Sequence, residues 1–93
     1  MQVKTFEKTS GADKDYSLNW VLWLAGDTID SSTWEIDSGI TQSQADTNTT
    51  TATTVWIASG DDGKDYEAIN TIVTAAGRTE QAKLCFHIRD GKC

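Results

Sequence analysis

The chain has 93 residues, fourteen acidic against eight basic, with a formal net charge of −6 and no proline. One small domain is the natural unit at this length. An acidic chain without a basic stripe is not built to grip nucleic acid, no apolar run approaches the ~20 residues that span a bilayer, and Met1-Gln2-Val3-Lys4 lacks the apolar stretch of a cleaved secretory signal. A chain this short buries only about 60–65% of its unfolded surface, so its core is marginal and wants external support. Cys85 and Cys93 do not supply it. A bridge between them would close a short terminal loop and add little, and two thiols cannot complete a four-ligand zinc site. They read as one semi-buried thiol and one free tail thiol in a reducing compartment. Oligomerisation or docking on a larger assembly remains.

Apolar residues recur mostly with period two, the signature of strands half-buried on one face. Residues 1–12 are an N-terminal arm or first strand, with Lys4-Thr5-Phe6-Glu7 as its weak strand signal. Tyr16, Leu18 and Trp20 then alternate with Ser17 and Asn19. The apolar run 21–25 reads as the end of that strand and a short turn before Gly26; a single helical turn is the alternative. Thr33-Trp34-Glu35-Ile36 alternates again, and Gly39-Ile40-Thr41-Gln42 does so weakly. Residues 47–54 hold much of the chain's fourteen threonines and predict a Thr-rich edge strand or long hairpin leading into Val55. Val55 and Ile57 alternate with Trp56 and Ala58. Residues 66–74 carry apolar side chains on both faces, Tyr66, Ala68 and Ile72 on one and Ile69 and Val73 on the other. Leu84, Phe86 and Ile88 form the last run, and residues 89–93 a loose tail. Gly- and Asp-rich turns separate these runs at the spacing of a sandwich. With no proline to block them, the strand edges are open to pairing.

Catalytic chemistry is thin. The one histidine, His87, alternates with Phe86 and Ile88 and reads as an outward strand residue. No nucleophile elbow or phosphate-binding glycine loop is present. Asp61, Asp62, Asp65 and Glu67 cluster as hard oxygen ligands for a cation would, but the spacing is not that of a calcium loop, and Asp and Gly are also the best turn formers. No cofactor is expected.

Gly63-Lys64-Asp65-Tyr66, running into a strand, matches the tyrosine corner of immunoglobulin-like sandwiches, where the hydroxyl bonds back to the preceding loop. The fold expected is therefore all-β: a single immunoglobulin-like, fibronectin-III-like β-sandwich of about seven strands over residues 1–93, with no core disulfide. Its core comprises Tyr16, Leu18, Trp20, Trp34, Val55, Ile57, Tyr66, Ile72, Leu84, Phe86 and Ile88. Four Trp exceed what one small core needs, so Trp23 and Trp56, with Thr49, Thr51 and Thr53 of the Thr-rich segment, are the expected interface residues.

Asp15-Tyr16-Ser17-Leu18-Asn19-Trp20 with Trp23-Leu24, Gly26-Asp27-Thr28-Ile29 and Ser31-Ser32-Thr33-Trp34 resembles phage fibre–tail adaptor proteins, small virion proteins of tailed bacteriophages. Thr54-Val55-Trp56-Ile57 and residues 71–79 extend the resemblance over roughly residues 15–88. Asn19 stands where an Asp is expected, and Cys85 and the tail Asp90-Gly91-Lys92-Cys93 are particular to this chain. The resemblance brings no catalytic residues. It implies a non-enzymatic structural component of the virion, made in the host cytoplasm. Its partners would be tail, neck, fibre or major capsid proteins, in many copies of a symmetric assembly, without nucleic acid or membrane. Capsid decoration is the alternative, and a calcium-binding module or small enzyme a more distant one.

Overall fold

The computed structural model describes residues 2–91; Cys93, one of the two thiols considered above, lies outside them. Its elements in order are β1 (Gln2–Lys8), β2 (Lys14–Asn19), α1 (Val21–Leu24), β3 (Ile29–Ile36), β4 (Ile40–Gln42), β5 (Thr47–Asn48), β6 (Ala52–Ser59), β7 (Asp65–Thr74) and β8 (Thr79–Ile88). Strands β1-β8-β7-β3 form one sheet; β2-β6-β4 form the other, with β5 also on β6. β1 runs parallel to β8 and every other pairing is antiparallel. The two sheets face each other as an immunoglobulin-like sandwich, with eight strands rather than seven because the threonine-rich region contributes two. Cys85 is a free, half-buried thiol.

Period-two alternation places one side of each strand in the core. In β7, Tyr66, Ala68 and Ile72 are buried while Ile69 and Val73 are half-buried on the outer face. Tyr16, Leu18, Val55 and Ile57 from one sheet, with Trp20 just past β2, share one core with Leu84, Phe86 and Ile88 from the other. Trp34 is only partly buried and packs against this cluster from the β3 edge. Phe6, Tyr16 and Phe86 form an aromatic trio with ring centroids 4.8–5.9 Å apart.

A polar chain ties the sheets together through the core. The Trp20 indole N–H donates to the Thr53 hydroxyl at 3.2 Å, which donates to Asn70 Oδ1 at 2.7 Å. The Asn70 amide then donates to Ser32 Oγ and to the Thr33 carbonyl, both at 2.9 Å. Each buried group has a partner, so the network fixes the packing of β6, β7 and β3 rather than weakening it.

One expectation is corrected here and one open alternative is decided. The run at 21–25 is not a strand end: it forms the single helical turn α1. β6, the partner of β2, begins at Ala52 opposite Asn19, so the backbone beyond has no strand to bond. It bonds to itself instead, Leu24 N–H to Trp20 O at 2.9 Å and Ala25 N–H to Val21 O at 3.2 Å. The turn closes with Ala25 left-handed at φ 51°. Of the two readings of the threonine-rich segment, the hairpin leading into Val55 is the one found, with Thr47 and Asn48 paired antiparallel to Thr54 and Thr53. Only Thr47 and Asn48 lie on the edge, residues 49–51 turn, and Thr53 and Thr54 belong to β6, which is paired on both sides.

The tyrosine corner is present. The Tyr66 hydroxyl accepts the Asp61 N–H at 3.1 Å. Gly39 lies over the same ring at φ +105°, so close that a Cβ there would sit 2.6 Å from Tyr66 Cε1.

Candidate docking interface

The sandwich measures 50 × 21 × 18 Å, so its two ends are distinct surfaces. At one end the β2–β3, β5–β6 and β7–β8 connections gather and are bonded to one another. Trp20 N–H reaches Thr51 O at 2.8 Å, Ile29 N–H reaches Thr50 O at 2.9 Å, and Ala75 N–H reaches Thr28 O at 2.9 Å. The Asn19 side chain accepts the Val21 N–H at 3.0 Å, where β2 passes into α1.

Arg78 clamps this end. Its guanidinium lies over the Trp23 ring at 4.5 Å, donates to Asp27 Oδ2 through Nε and Nη2 at 3.2 Å each, and reaches the Leu24 carbonyl at 2.7 Å. The planar fork satisfies a carboxylate, a helix C-terminal carbonyl and a π face at once, which a lysine cannot do. Asp27 is held below the usual carboxylate range, first by the Thr74 hydroxyl and then by Thr28, Arg78 and Ala76, against some desolvation. Trp23 packs edge-on against Trp20 at 5.7 Å. With Leu24 turned into the core, Leu22 points the other way and is 95% exposed, and Val21 beside it is 48% exposed. A rigidly held apolar tip is the result.

The opposite end is polar and acidic. The Ser10 N–H and hydroxyl both donate to the Asp90 carboxylate, at 2.6 and 2.7 Å, and Asp90 N–H donates to Asp62 at 3.0 Å. Asp90 is accordingly held below its usual range, by Ser10 first and by the nearby Lys8 charge. Arg89 N–H bonds the Lys8 carbonyl at 2.9 Å, so the chain at 89–90 is tied to β1. Lys8 is itself buried, its ammonium donating to the carbonyls of Ser59 and Thr9 at 2.6 and 2.8 Å. Burial lowers its pKa, with Asp13 and Asp90 opposing.

The cation-ligand cluster is not assembled. Asp61 pairs with Lys64, Asp62 accepts from Asp90, Asp65 faces Arg89 and His87, and Glu67 pairs with Lys83 from the strand's outer face. Among the described residues no three His, Cys, Asp or Glu side chains are placed to share a metal ion.

Of the expected interface residues, Trp23 and Trp56 are half-buried, Trp56 on the outer face of the β2-β6-β4 sheet. Thr49 is exposed, but its hydroxyl accepts the N–H groups of Thr51 and Ala52 within the turn; Thr51 is half-buried. Thr53 is 0% exposed and locked between Trp20 and Asn70, so it cannot meet a partner. Leu22 was missed because an apolar run gives no sign of which member faces out until it is known to be helical. Arg78 and Asp27 are far apart in sequence, and nothing local pairs them.

A family model described as podophage GP4 fiber-tail adaptor protein gp77 matches residues 8–87. The match runs from the end of β1 to the penultimate residue of β8, so it takes in both ends of the sandwich. No curated protein gives a match to the chain. Among the described residues no helix is long and apolar enough to cross a membrane. The chain belongs to this family of phage fibre–tail adaptors, structural proteins of the virion.

Proposed function

We propose that the protein is a non-enzymatic adaptor that joins fibre or accessory proteins to the tail or neck of the particle, in many copies, and that the α1 end makes one of its two contacts. The observation that carries this reading is Leu22, 95% exposed on a turn that Arg78, Trp23 and Asp27 hold in place. A freely soluble domain gains nothing by fixing a leucine in water. A docking module gains an anchor whose ordering cost is met before association. The length of 50 Å supports two contacts at separate ends. A single histidine and dispersed carboxylates support a role without catalysis.

The test is Leu22→Asp assayed for attachment to particles that lack the protein, by co-sedimentation and electron microscopy. Burying a leucine at an interface contributes about 1.5–3 kcal/mol, so removing it weakens each contact about 10- to 100-fold. The variant should melt within a few degrees of the parent yet leave tails without fibres. Normal fibre attachment by Leu22→Asp sinks the assignment of the α1 end. Attachment of the parent protein to isolated heads instead of tails favours capsid decoration and sinks the adaptor role.

A further inference from the structure

β1 and β2 are each paired on one side only, β1 to β8 and β2 to β6, and their free edges open onto the same flank of the sandwich. Between them lies a groove of about 400 Å³, within the range of peptide- and ligand-sized clefts. Its walls come from opposite sheets, with Lys4 and Phe6 on β1, and Lys14 and Tyr16 on β2. Phe6 and Tyr16 pack against each other at 4.9 Å, their rings tilted by 58°, as the aromatic floor.

The two lysines of this groove have no use inside the molecule. Lys4 and Lys14 are unpaired: among the described residues, the ion pairs of this acidic chain engage Lys64, Arg78, Lys83, His87 and Arg89, but neither of these lysines. Lys14 makes only a long contact to the Tyr16 ring, 5.7 Å from its centroid. Asp15 is the one carboxylate on the groove, and it projects from the outer face of β2.

We propose that this flank receives an extended acidic segment of a partner protein, which adds to the free edge of β2 and places a carboxylate between Lys4 and Lys14. Main-chain bonding to the strand edge gives the segment its direction. The lysines select its charge. The lysines also point inward from sheet edges, an arrangement that by itself discourages edge pairing. The two roles differ in outcome: edge guards alone bind nothing. The site is remote from Leu22 and does not depend on it.

The experiment is a titration of the full chain, labelled for amide NMR, with a capped pentapeptide of alternating valine and glutamate. Shift changes should concentrate on the amides of residues 4–6 and 14–17. Affinity should fall at least tenfold in Lys4→Gln/Lys14→Gln, in 0.3 M salt, and for the same peptide with glutamine in place of glutamate. No binding at millimolar peptide, shifts on another flank, or equal affinity for the glutamine peptide would each overturn the proposal.

Discussion

Tyr66→Phe isolates one hydrogen bond. The hydroxyl accepts the Asp61 N–H at 3.1 Å in a partly buried loop, and the ring, 8% exposed, keeps its packing when the oxygen is removed. What is lost is the acceptor for one backbone donor, about 1–2 kcal/mol because water reaches part of the loop. Unfolding entropy for a chain of this length is roughly 0.2 kcal/mol per kelvin, so the melting temperature should drop by about 5–10 °C. Calorimetry and urea unfolding should agree on the loss, with an unchanged urea slope. Gly39→Ala probes the other side of the same ring. At φ +105° an alanine is strained, and its Cβ would meet Tyr66 Cε1 at 2.6 Å, so it should cost more than the hydroxyl does. If Tyr66→Phe changes stability by less than the roughly 0.5 kcal/mol of a neutral surface substitution, the corner does not hold the β6–β7 loop and the reasoning fails.

Thr53→Val keeps the shape of the side chain but orphans the Trp20 N–H and the Asn70 Oδ1 inside the core; a loss of about 2–4 kcal/mol is expected by urea unfolding. Ser17→Ala, at an exposed hydroxyl pair across β2 and β6, should stay within about 0.5 kcal/mol of the parent and serves as its contrast. Asp27 and Asp90 both have folded pKa values below the usual 3.8, so their contribution is complete above the unfolded value and is lost as pH falls through the folded one. Urea midpoints should therefore be flat from neutral pH to about 4 and drop below it, less steeply in Asp27→Asn; an unchanged acid slope in that variant refutes the assignment to Asp27.

The architecture was largely legible because alternation is a local property. Tyr16, Leu18 and Trp20, or Leu84, Phe86 and Ile88, announce a buried face without reference to any other part of the chain. The tyrosine corner was legible for a similar reason, since donor and acceptor are five residues apart. Features that failed to show depend on partners distant in sequence. Whether residues 21–25 extend a strand depends on where β6 begins, and β6 begins at Ala52. Thr53 looks like its neighbours in a polar run, yet its position opposite Leu18 turns it inward to Asn70. The Arg78–Asp27 clamp spans 51 residues. The groove joins β1 and β2, which pair with β8 and β6 and meet each other through the Phe6 and Tyr16 side chains.

Zero proline suggested that every strand edge stays open, and the structure makes that inference selective. Four strands or strand groups form edges, and they are not equally available. β4 and β5 are three and two residues long, too short to template a partner strand. β3 has eight residues, but its register shifts between Ile29 and Ser31, and such an irregularity twists an edge away from regular pairing. β1 and β2, at seven and six residues, have neither device. Their only guard is a pair of inward lysines, and a charge is the one kind of guard that a partner of opposite charge removes on arrival. A proline or a bulge would block that flank against every strand. Lysines block it against most and leave it open to an acidic one, which is the discrimination an assembly component needs among many abundant β-proteins.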